Sequence, residues 1–133
     1  MNIDLNSVIP IYIQIADGIA DDILNGILEE EAPAYSQYQI AKYYKINPAT
    51  AAKGIQMLVA EGILLKKRGA SMYVAPGAKV RIRSKRKEHF IHNLLVDVIR
   101  EGKKLGFSIA EIKDMMDQIA EVDILHDNLQ STE

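Results

Sequence analysis

The chain has 133 residues, 48% of them hydrophobic and 26% charged, which suits one ordinary domain or a small domain with an appendage. It contains no cysteine, which excludes a disulfide framework, a zinc ribbon and thiol chemistry. The net charge of −2 is segregated: residues 1–41 hold seven acids and no Lys or Arg, residues 42–87 hold twelve bases against Glu61 alone, and residues 88–133 hold ten acids and four bases.

So dense a basic block is a cue to a polyanionic partner, because a local positive face attracts phosphate whatever the total charge. The plainer reading is a solvated charged surface. The opening MNIDLNSVIP lacks the basic and apolar regions of a secretory signal. No apolar run approaches the roughly 18 residues of a membrane span. A cytoplasmic protein without membrane contact is the expectation.

Taken in chain order, Ile11, Ile15, Ile19, Ile23 and Ile27 recur every four residues and predict an amphipathic helix from Pro10 to about Leu28. Pro10 suits its first turn, where a missing N–H costs nothing. Glu29-Glu30-Glu31 and Pro33 then mark a loop. A second helix, Ser36 to Tyr44, opens with Ser36 and Gln39 at capping-box spacing. After a short turn at Lys45-Ile46, Asn47 caps a third helix with Pro48 at its first position, and Gly62 stops it. Ala51, Ile55, Leu58 and Val59 form its inward stripe. Two helices joined by so tight a turn form a helix-turn-helix.

From Gly62 to Ala75 the period changes to that of a β-hairpin: Ile63 to Arg68, a tip at Gly69-Ala70-Ser71, then Met72 to Ala75. A hairpin directly after a helix-turn-helix is the wing of a winged helix. Pro76-Gly77 breaks the chain, and the basic connector KVRIRSKRK at 79–87 leads into a fourth helix over about 84–105. Its six cations are placed either against flanking phosphates or as a solvated helix start. Ser108 with Glu111 is a second capping box and opens a fifth helix.

The fold expected is therefore mainly α with a small β-hairpin: a winged helix-turn-helix over 1–77 and a two-helix dimerisation tail over 78–133. A two-helix hairpin has only one internal seam, so part of its apolar surface must meet something else, and a second copy is the economical partner. Phe90, Leu94, Leu95 and Val98 on the fourth helix, and Ile112, Met115, Met116, Ile119 and Val122 on the fifth, are the expected dimerisation residues. Ile124 and Leu125 continue that stripe. The alternative is that these helices fold back on the winged helix as a monomer. The Met115-Met116 pair reads as core rather than as an effector pocket.

These residues resemble a known family. Pro10-Ile11-Tyr12-Ile13-Gln14-Ile15, Gly26, Ser36, Ile40-Ala41, Ile46-Asn47-Pro48-Ala49-Thr50, Leu58, Glu61-Gly62, Arg68-Gly69 and Tyr73-Val74 are similar in order and spacing to the GntR family of bacterial transcriptional regulators. The PIY-x-QI opening and the short tail resemble its YtrA-like subgroup. The resemblance implies a homodimeric regulator that binds duplex DNA at a palindromic operator, most often as a repressor, and it implies no cofactor, no metal and no enzymatic activity. Two stretches depart from the family pattern. Its Leu-Pro-Ser-x-Arg opening is here Ala34-Tyr35-Ser36-Gln37-Tyr38, and its Gly-x-Gly-Thr-Phe-Val wing is Gly69-Ala70-Ser71-Met72-Tyr73-Val74.

The DNA-facing residues expected are Ser36, Gln37 and Tyr38 on the second helix, Lys45 in the turn, Asn47, Ala49, Thr50 and Lys53 on the third, and Lys67, Arg68, Gly69 and Ser71 in the wing. Asn47 can pair bidentately with adenine, or be used up as the helix cap. Tyr38 can donate to a phosphate without adding charge, or simply pack. Without the arginine, binding rests on lysine attraction to the backbone and on small-residue contacts. Two other readings stay open: a winged-helix protein-interaction module, and a low-specificity DNA binder that has lost base readout. His89 and His92, three apart on a helix, lack enough companions for a metal site. No effector is identified.

Overall fold

A computed structural model describes residues 1–69 and 72–131. Six α-helices and two strands follow in order: α1 (Ile11–Leu24), α2 (Gln37–Tyr44), α3 (Pro48–Ala60), β1 (Leu64–Lys66), β2 (Met72–Val74), α4 (Ala78–His89), a π-helical stretch (Phe90–Leu95), α5 (Val96–Lys104) and α6 (Ile109–Ser131). They form two compact units, Met1–Arg86 and Lys87–Glu133. Ser71 and the side chains of Ile124 and Leu125 lie outside the described residues.

The four-residue isoleucine period of α1 builds the centre of the first unit: Ile15, Ile19 and Ile23 are fully buried, packed with Ile40, Ala51, Ile55, Leu58, Leu64 and Val74. Ile27 leaves this stripe. The helix stops at Leu24 because Gly26 adopts φ 78°, the left-handed conformation that a glycine takes without strain. Its N–H donates to Ile23 O at 3.2 Å and that of Ile27 to Asp22 O at 2.9 Å, which closes the last turn and leaves Ile27 65% exposed. Pro10 is the cap of α1, extended at φ −54°, and its carbonyl accepts from Gln14 N–H at 3.2 Å. Gln14 also ties down the segment before the helix: its amide donates to Asp4 O at 2.9 Å and to Ile9 O at 2.8 Å.

α1 and α3 touch where α3 has no side chain. A Cβ at Gly54 would stand 2.7 Å from the Tyr12 carbonyl oxygen and 2.9 Å from Ile15 Cγ2. Gly54→Ala is therefore expected to destabilise the first unit by about 1–3 kcal/mol, because backbone and a fully buried isoleucine must both move. Thermal unfolding checks this, with a drop of about 4–8 °C expected per kcal/mol in a small domain.

β1 and β2 pair antiparallel in the register Leu64–Val74, Leu65–Tyr73, Lys66–Met72. The acidic loop adds a third segment to this hairpin. Glu31 N–H donates to Val74 O at 2.7 Å, Val74 N–H to Ala32 O and Ala34 N–H to Met72 O, both at 2.9 Å, with Pro33 opposite Tyr73. Pro33 has no N–H to give, so it sits at an edge position where none is needed.

The basic connector is helical from Ala78, not from about Ser84. Ala78 and Ile82, four apart, are buried in the first core at 0% and 2% exposure. Three of its cations hold it there. Arg81 donates to Gly62 O at 2.6 Å, Lys85 pairs with Glu61, and Arg86 pairs with Asp21 at 2.6 Å and reaches Asp17 O at 3.3 Å. The break between compact units accordingly falls after Arg86 rather than at 77/78.

In the second unit the expected single helix over 84–105 is interrupted by the six-residue π-helical stretch Phe90–Leu95. α6 opens with the capping box: Glu111 N–H donates to Ser108 Oγ, and Ser108 N–H to Glu111 Oε1, both at 3.1 Å. The Ser108 backbone N–H, with the Ser108 hydroxyl second, lowers the pKa of the Glu111 carboxyl. α5 and α6 meet at Gly102, where a Cβ would stand 2.5 Å from Ile112 Cδ1. Ile112 thus fills the hairpin's own seam, 7% exposed, while Phe90, Leu94, Val98, Met116, Ile119 and Val122 stay exposed and Leu95 and Met115 are half-buried.

Candidate nucleic-acid interface

The helix-turn-helix is set by two caps and one left-handed residue. Ser36 Oγ accepts from Gln39 N–H at 3.1 Å while Gln39 Oε1 accepts from Ser36 N–H at 2.9 Å, so both ends of the α2 capping box are closed. α2 ends at Lys45, which takes φ 54°, and Ile46 N–H donates back to Ala41 O at 3.0 Å. Asn47 then caps α3, its Oδ1 accepting from Ala49 N–H at 2.8 Å, with Pro48 at the first helical position.

That cap is one of the two roles open to Asn47. Bidentate pairing with adenine needs the carboxamide oxygen and nitrogen together. Here the oxygen accepts one bond, from Ala49 N–H, so Asn47 caps α3. Ala49 is exposed beside it and Thr50 is half-buried. Lys53 is exposed, with its ammonium 4.0 Å from the ring centroid of Tyr12. Periodicity could not reveal this contact, because Tyr12 lies on α1, far away in sequence. On α2, Tyr38 is 70% exposed and Gln37 half-buried. In the wing, Lys67 reaches the Tyr73 ring at 5.7 Å, while Arg68 and Gly69 are exposed, Gly69 at φ 75°. Ser71 is not among the described residues.

Charge pairing separates two sets of cations. Among the described residues, Lys42, Lys45, Lys53, Lys66, Lys67 and Arg68 form no ion pair with an acid. Lys85 and Arg86 on α4, by contrast, are paired with Glu61 and Asp21. The positive charge of the helix-turn-helix and wing is thus available to an outside anion, whereas two of the connector's six cations are already paired. Among the described residues no cluster of His, Asp or Glu could hold a metal ion, and no helix is long and apolar enough to cross a membrane.

No family model matches the chain. The crystal structure of a protein described as a GntR-family transcriptional regulator from Bacteroides thetaiotaomicron is 37% identical, with a TM-score of 0.72 over 85% of this chain and 98% of that one. The chain belongs to the GntR family. Within that family it is similar over nearly its whole length to the transcriptional repressor YtrA of Bacillus subtilis, 27% identical over 120 residues, which are 90% of this chain and 92% of YtrA. The B. subtilis repressor NagR is 35% identical over 75 residues, 56% of this chain, and the chain spans only 31% of NagR's length. GntR membership accounts for the winged helix, and the YtrA-like length accounts for the short helical tail. A further solved relative, S. agalactiae BusR in complex with its busAB-promotor DNA, is 26% identical with a TM-score of 0.52, over 92% of this chain and 57% of that one.

Proposed function

We propose that the protein is a non-enzymatic, DNA-binding transcriptional repressor of the YtrA-like kind, acting as a homodimer on a palindromic operator. The observation that carries this reading is the set of exposed, unpaired cations on the turn, α3 and the wing. α3 lies in the major groove, with Ala49 and Thr50 at base edges. Ser36, Gln37 and Tyr38 meet one phosphate backbone, and Lys67, Arg68 and Gly69 the other. Lys45 and Lys53 add charge beside the groove; Ser71, the remaining expected contact, lies outside the described residues. The BusR complex with promoter DNA supports the docking by homology of fold.

The test is fluorescence anisotropy on DNA from the protein's own promoter region against a scrambled duplex, at low and moderate salt. With about six phosphates neutralised per protomer, each protomer's share of the affinity is expected to fall by about 10³-fold between about 50 and 200 mM salt. The promoter duplex should bind more tightly than the scrambled one. Equal affinity for both identifies a low-specificity binder, and no binding at low salt identifies a protein-interaction module; either result overturns the reading.

A further inference from the structure

Beneath the helix-turn-helix the first unit contains a cavity of about 410 Å³, lined by Met1, Asp22, Tyr35, Gln39, Tyr43 and Tyr44 among others. Nothing in the DNA reading uses it. Its chemistry is specific. Asp22 is the buried acid of this core, 5% exposed. One carboxylate oxygen accepts from Tyr35 O–H at 2.7 Å; the other faces the Met1 ammonium at 3.8 Å, too far for a hydrogen bond. A buried carboxylate needs pairing and hydrogen bonds to offset its lost hydration, and Asp22 is among the residues that line the cavity.

The walls are aromatic. The rings of Tyr43 and Tyr44 stand 4.8 Å apart at 71°, nearly perpendicular, and Tyr35 supplies a third ring. A carboxylate in a cavity lined by several tyrosines favours a cation, since the acid and the ring quadrupoles attract the same charge. No Lys or Arg lines the cavity to favour an anion. The group already drawn to Asp22 is itself an ammonium, that of Met1, whose carbonyl accepts from Tyr44 O–H at 2.6 Å. Burial and the bond to Asp22 push the Tyr35 phenol up to about 12, so it remains the donor that fixes the carboxylate at neutral pH.

The geometry points to a binding site for a small organic cation, a primary or quaternary ammonium, seated against Asp22 between the tyrosine rings in place of the Met1 ammonium. Gln39, Tyr43 and Tyr44 all belong to α2, so an occupant would replace Met1 as the tether of that helix. An effect of the ligand on operator affinity rests on the DNA reading above; the site itself does not.

The test uses the full chain without DNA, so it is independent of whether the protein binds an operator. Tetramethylammonium and butylammonium chloride are titrated while the tyrosine ring resonances are followed by NMR, with sodium chloride at matched ionic strength as the control. Saturable shifts at Tyr35, Tyr43 and Tyr44 are expected for the organic cations only, with a dissociation constant of about 0.1–10 mM. Asp22→Asn should weaken binding at least about tenfold. Because Asp22 is buried, Tyr43→Ala is the second variant: that ring is 79% exposed, and its removal should leave the fold intact and weaken binding several-fold. Shifts equal to those of sodium chloride, or binding unchanged in Tyr43→Ala, would overturn the proposal.

Discussion

Replacing Lys66, Lys67 and Arg68 together by alanine is expected to flatten the salt dependence of operator binding while leaving the fold unchanged. All three are exposed and none pairs with an acid among the described residues. Each phosphate contact contributes about 0.9 to the slope of log affinity against log salt, so losing three lowers it by about 2.7 per protomer, or about 5 for a dimer. Near 0.1 M salt a slope loss of 2.7 corresponds to roughly a 500-fold loss of affinity per protomer. The contrast is Lys85→Ala with Arg86→Ala. These cations already hold Glu61 and Asp21, so the expected result is a nearly unchanged slope and a small loss of stability, about 0.2–1 kcal/mol for each exposed pair. Anisotropy titrations over a salt series and thermal unfolding separate the two outcomes. An unchanged slope in the wing variant would remove the wing from the interface.

That contrast also marks where the sequence was legible. Features encoded within four or five residues could be read directly: the capping boxes at Ser36/Gln39 and Ser108/Glu111, the Asn47-Pro48 start of α3, the isoleucine period of α1. Features made by distant residues could not. The basic run at 79–87 reads as a connector set either against flanking phosphates or as a solvated helix start, because its charges hide Ala78 and Ile82, the two residues that bury it, and because its acidic partners lie as far back as Asp21. Residues 31–34 looked like loop because acids and Pro33 mask a segment whose hydrogen bonds go to β2, about 40 residues later. Asn47 is ambiguous in sequence, since cap and base reader demand the same residue type; the 2.8 Å bond from Ala49 N–H establishes the cap. The cavity of Asp22, Tyr35 and Tyr44 was invisible for the same reason as the α4 contacts: it draws on α1, α2 and the first residue of the chain.

The second large effect is expected in the tail. Leu94→Glu with Val98→Glu should convert a dimer to a monomer without unfolding either unit. In the wild-type chain these side chains are 54% and 43% exposed, and Phe90, Ile119 and Val122 on the same unit are 50%, 62% and 64% exposed. So much bare apolar surface on one small helical hairpin is the mark of an interaction face. Ile112 is the exception that defines it: it is buried against Gly102, so the seam between α5 and α6 is already filled from within and the remaining residues are left over. Two carboxylates placed there would have to be desolvated without a partner. Analytical ultracentrifugation should report a monomer and circular dichroism an unchanged helix content. Operator affinity should fall by about 10²-fold or more, because two linked half-site contacts become one. Ile112→Ala serves as the converse: it empties a buried position, so it should cost about 2–5 kcal/mol of tail stability and act on association only through unfolding. A Leu94/Val98 variant that remained dimeric would place the partner surface elsewhere and detach the exposed stripe from assembly.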